Sequence, residues 1–172
     1  MLSRFGSEFC LKPVHPLLVH FPIGLLALSV TADLVAFFAP RESLRSTGWW
    51  ALLGAALGSI PTVLAGVYDM RRATLKEDVH LRVHRHMKVG FALLTLIVGL
   101  TVWRWRTYSH AGLSVSAFYL DCAVLTMALA AFQGWLGGEL VYSDGVFVKR
   151  AQPTASPEGK GAPADAASSH HH

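Results

Sequence analysis

Charged side chains are scarce in this sequence. Asp, Glu, Lys and Arg make up 15% of its 172 residues, against roughly 25% in soluble domains. Hydrophobic residues reach 52%. That balance excludes an ordinary soluble domain and indicates a membrane protein. Cysteine is nearly absent: Cys10 precedes the first apolar run and Cys122 lies inside the last. Neither a disulfide framework nor a C-x-x-C motif can be built from them. A nucleophilic triad, a phosphate loop and a paired-carboxylate hydrolase pattern are also missing, so no independent enzymatic activity is expected. No cleavable signal peptide is read, because the first apolar run is too long for an h-region and lacks a small-residue cleavage site. The net charge of +4 does not point to nucleic acid, since the basic residues gather between apolar runs and so report topology.

Four segments are long and apolar enough to span a bilayer, which takes about 20 residues. They run over about 16–38, 48–68, 87–105 and 116–136. The expectation is an all-α integral membrane domain over residues 1–150, with the lipid bilayer as its first partner. Short connections make sequential helices antiparallel, so the bundle is expected to run up-down-up-down. The middle connection, DMRRATLKEDVHLRVHR, reads as a longer charged loop. The Pro-, Ala-, Gly- and Ser-rich tail over 151–172 reads as disordered, with its terminal His-His-His a tag remnant or loose end. The side holding both termini and the middle loop carries eleven Lys and Arg, and the other side four. By the positive-inside rule that side, with both termini, is expected to be cytoplasmic.

The histidines are unevenly placed. The stretch HPLLVHFPIGLL opens the first span with His15 and His20, while His80, His84 and His86 lie in the middle loop and the start of helix three. Five of the six histidines outside the tail therefore share one membrane boundary, joined there by Asp69 and Glu139. Neutral imidazole ligates haem iron, copper and zinc. Two histidines on facing helices can hold a b-type haem, and His20 with His86 are the candidate axial pair. His15, Asp69, His84 and Arg85 are the candidate polar rim, able to pair with propionates. The alternatives are a boundary or capping role for His15 and an interfacial one for His86. His80 and His84, at i, i+4, are either a zinc or copper pair or part of a solvated loop. Gly24, Gly66, Gly90, Gly134, Gly137 and Gly138 would admit a flat macrocycle or simply close helix packing.

Charged and amide side chains also lie within the apolar runs. Asp33 is ~26 Å along helix one, near the opposite boundary, where Asp121 and Arg104 also fall. Buried charge is expensive unless paired, so these three are expected to cluster as a polar clamp or to open a proton or ion path, with Gln133 partway across.

The motifs HPLLVHFPIGLL at 15–26, Asp33 in the same helix, AGVYD at 65–69, a histidine opening helix three and GWLGGELVY at 134–142 resemble the bacterial membrane family called domain of unknown function 2231. The resemblance covers about residues 13–148. It implies a four-helix membrane protein, and relatives joined to Rieske or cytochrome modules imply an electron-transfer setting beside other redox or respiratory membrane subunits. The family's third-helix motif often has a histidine followed shortly by asparagine. Here HRHMKVG has Lys88 and Gly90 instead, which leaves His84 and His86 both open as the matching residue. Three functions follow: a b-type haem-binding or redox-linked subunit, a non-catalytic scaffold or small subunit of a larger complex, and a metal- or proton-handling membrane protein.

Overall fold

The computed structural model describes residues 14–72, 77–111 and 115–143. The tail over 151–172 and Cys10 lie outside the described residues. Five helices fill them: α1 (His15–Leu18), α2 (His20–Phe38), α3 (Glu42–Arg72), α4 (Glu77–Ala111) and α5 (Ala117–Tyr142). α1 and α2 together form one membrane-length span, His15–Phe38, and α3, α4 and α5 each supply another. Large apolar side chains face outward along all four, among them Leu17, Phe38, Leu64, Trp105 and Leu125. A bilayer accepts such a surface, and helices satisfy their own backbone groups within it.

α2 packs on α3, α3 on α4, α4 on α5, and α5 back on α2, while the diagonal pairs α2/α4 and α3/α5 make no close backbone contact among the described residues. The bundle is therefore a four-sided ring of helices. Its core is formed by Leu26, Leu52, Ala55, Leu93, Ile97, Leu100, Ala123 and Ala130. The alanines let neighbouring backbones approach closely, which is how helices associate in lipid.

α4 begins ten residues earlier than the apolar run alone implies, so part of the expected middle loop is helix. Val79 and Val83 are buried with Leu140, against Met70 and Met87. Their spacing of four residues makes an apolar stripe that holds the helix together through charged sequence.

One end of the bundle is fixed by a buried ion pair. Arg104 of α4 donates through Nη1 to Asp33 Oδ2 of α2 and through Nη2 to the Arg45 carbonyl of α3 at 2.8 Å. Ser29 donates to the Gly48 carbonyl at 2.8 Å. A Cβ at Gly48 would overlap the Asp33 carboxylate, so only glycine lets α3 pass there. The Arg104 guanidinium also lies 5.7 Å from the centre of the Tyr119 ring of α5, a cation–π distance. All four spans thus meet at this pair. Asp121 does not join it: the residue is exposed, because Tyr119, Leu120 and Ala123 take the inward face of α5.

Removing one member strands the other in a low-dielectric interior, at a cost of about 3–5 kcal/mol. Arg104→Met is therefore expected to lower the detergent melting temperature strongly. The double variant Asp33→Leu/Arg104→Met should recover much of that loss, which thermal unfolding of the three proteins will check.

Candidate functional site

The opposite end of the bundle holds a cavity of about 520 Å³, within the size range of small-molecule sites. All four spans line it, mostly with apolar side chains, and its polar groups gather around His15, Asp69, His86 and Gln133.

His15 is set by the start of α1. Pro16 falls at the first helical positions, where a missing N–H costs nothing. The His15 backbone N–H donates to Asp69 Oδ2 at 2.9 Å, so a buried carboxylate from the end of α3 caps the helix in place of a side chain of its own. The imidazole Nδ1 lies 2.8 Å from the Thr62 carbonyl. A carbonyl only accepts, so Nδ1 carries the proton and Nε2 of the neutral ring keeps a free lone pair. A Cβ at Gly66 would sit 3.1 Å from this ring, tight enough that the glycine is what gives the ring its place.

His86 is held by α5. Gln133 Nε2 donates to the His86 carbonyl at 2.9 Å and lies 3.2 Å from His86 Nε2. An amide nitrogen only donates, so Nε2 accepts and Nδ1 carries the proton. His86 Nδ1 and Gln133 Oε1 are both buried without a partner. Two unpaired polar atoms at one apolar cavity require a ligand, a water or an ion to complete them. The His15 and His86 rings face each other, 6.1 Å apart between centroids and at 89°. They stand on spans whose backbones make no close contact among the described residues, and both rings line the cavity.

The other expected residues are placed differently. His20 is exposed and reaches only the cavity lining; it is not the buried partner of His86. Five residues separate it from His15, about 140° around a helix, so the two rings leave the span in different directions and the ring against His86 is that of His15. His84 and Arg85 are exposed and do not line the cavity. Val83, His86, Met87 and Gly90 take the inward face of α4, which turns 84 and 85 outward. Asp69 does reach the site, through the backbone of His15 rather than as a rim charge. Among the described residues, no group of three or more His, Cys, Asp or Glu is arranged around a metal ion. The Thr62 carbonyl and the tight seat at Gly66 are additions that a list of polar side chains could not contain; the AGVYD motif is the only trace of the second.

A ring of four membrane-length helices with a histidine pair at one end defines a class of integral membrane protein. Residues 11–150 match the family of domain of unknown function 2231, described as a predicted membrane protein, and the chain belongs to it. No curated protein and no solved structure matches the chain.

Gly66→Val should displace the His15 ring and destabilise the protein by about 1–3 kcal/mol. Gly99→Val, where a Cβ meets nothing, should leave stability nearly unchanged. Melting temperatures of the two variants in the same detergent check this.

Proposed function

We propose that this protein is a redox-linked membrane subunit that holds a b-type haem between His15 and His86. The observation that carries the reading is the approach of these two rings at the cavity from diagonally opposite spans, edge to face with centroids 6.1 Å apart. With a metal–nitrogen bond of about 2 Å and a ring centroid roughly 1.1 Å beyond the nitrogen, two imidazoles on opposite sides of one ion have centroids about 6 Å apart.

The groups around the rings support the same reading. Thr62 orients His15 and leaves its Nε2 lone pair available, as the outer partner of a ligating histidine does. Iron ligation by His86 would use the Nε2 lone pair that the Gln133 amide meets, and the protonated Nδ1, buried without a partner, would be the outer nitrogen. Gly66 and Gly137 each back onto one of the two rings, so each imidazole lies close against a neighbouring helix backbone. The lining contains no Lys or Arg. Basic groups to meet the anionic edge of a bound macrocycle would come from outside the lining, where Arg71 and Arg72 are exposed at the same end of the bundle. A bound haem would supply a one-electron couple among mostly apolar side chains. The excess of Lys and Arg on that side favours a bacterial inner membrane with both termini cytoplasmic, and the electron partners would be other redox or respiratory membrane subunits.

The test is a visible spectrum of detergent-purified protein with and without dithionite. Sharp Soret and α bands in the reduced protein are expected, abolished by His15→Ala and by His86→Ala and retained by His20→Ala. A colourless preparation from haem-replete cells sinks the reading.

A further inference from the structure

The helical extension of α4 carries a second histidine pair, independent of the cavity. His80 and His84 lie near the start of α4 and are both exposed. A separation of four residues puts them on one helix face. Their ring centroids are 4.6 Å apart, with ring planes at 62°. Had this segment been a loop, nothing would hold the two rings together; as helix, it fixes their spacing before any ligand arrives.

That spacing has a coordination meaning. With nitrogen about 2 Å from an ion and the centroid roughly 1.1 Å beyond, two imidazoles at 90–109° around one ion have centroids about 4.4–5.1 Å apart. The His80/His84 separation falls in this range, while the His15/His86 separation is that of rings on opposite sides of an ion. We propose that His80 and His84 chelate one divalent transition-metal ion at the boundary end of α4, through one nitrogen of each ring. Two histidines at i, i+4 on a helix are the same pair that opens many zinc sites. Among the residues whose side chains are described no third His, Cys, Asp or Glu joins them, and water, a small anion or another side chain would fill the remaining positions. Two imidazoles with open positions rank Cu²⁺ above Ni²⁺ and Zn²⁺. Arg82, Arg85 and Lys88 are exposed on the same helix. Their positive charge lowers affinity for the bare ion and favours an anion among the remaining ligands.

The test titrates Cu²⁺ into the full chain in detergent, in a buffer without chelating groups, by calorimetry and by Cu²⁺ electron paramagnetic resonance. The histidines at 170–172 are present in every variant, so differences between variants report α4. The double variant His80→Ala/His84→Ala is expected to lose one equivalent of Cu²⁺ and the corresponding nitrogen-ligated signal. Each single variant should weaken that equivalent at least tenfold, and His20→Ala should leave it intact. His80→Gln/His84→Gln should behave like the alanine pair, and circular dichroism should give all variants the wild-type helix content. Equal stoichiometry and affinity in wild type and both double variants overturns the proposal. Because His86 is untouched, the visible spectrum tests the haem reading separately.

Discussion

A charge inside a bilayer must be paired, and the bundle is organised around such a pair, Asp33 with Arg104. Asp33 and Arg104 come from diagonally opposite spans that share no close backbone contact. Their ion pair sets how those spans are rotated and how far each is inserted. It also dictates a residue on the span between them, since Gly48 leaves the space that the Asp33 carboxylate fills. Arg104 then reaches the Arg45 carbonyl and faces the Tyr119 ring. Apolar contacts alone would specify this register weakly, because lipid tails compete with them on nearly equal terms.

Neither end satisfies every polar atom: Asp33 Oδ1, Arg104 Nε and Tyr119 Oη lack partners beside the ion pair, and the opposite end is also incomplete. Asp69 and Thr62 satisfy the His15 backbone and one ring nitrogen, and Gln133 reaches His86. Two polar atoms still lack partners there. The diagonal spans stay apart, and the histidine rings stand in the gap instead of closing it. Along the middle of the bundle, Ser59, Thr62, Thr101 and Thr126 each bond a carbonyl one turn back on their own helix. Those hydroxyls are spent locally, so the two polar ends are chemically separate: one closed by charge, one open to a ligand.

Much of this was legible in the sequence. The four spans followed from apolar length, because a bilayer demands about 20 such residues per crossing. The gathering of His15, His20, His80, His84 and His86 toward one boundary followed from their positions relative to those spans. The helical start of α4 was harder to see. Val79, Val83 and Met87 repeat every four residues, but Arg82, Arg85 and the histidines between them give the segment the composition of a loop. Asp121 and His20 illustrate the opposite difficulty. Both are polar residues in or near an apolar run, and depth alone cannot distinguish an inward residue from an outward one.

The sequence by itself determined that this is a four-span membrane protein, and which end of the bundle is rich in histidine, because hydropathy and chain order are linear properties. Only the tertiary structure decided that His15 rather than His20 faces His86, that Asp33 pairs with Arg104 and not with Asp121 beside it, and that Gln133 belongs to the histidine end. The physical reason is rotation. A membrane helix apolar on nearly every side carries no amphipathic stripe to show which face turns inward. That face is fixed only when neighbouring helices offer a charge, a carbonyl or a glycine gap to a particular side chain.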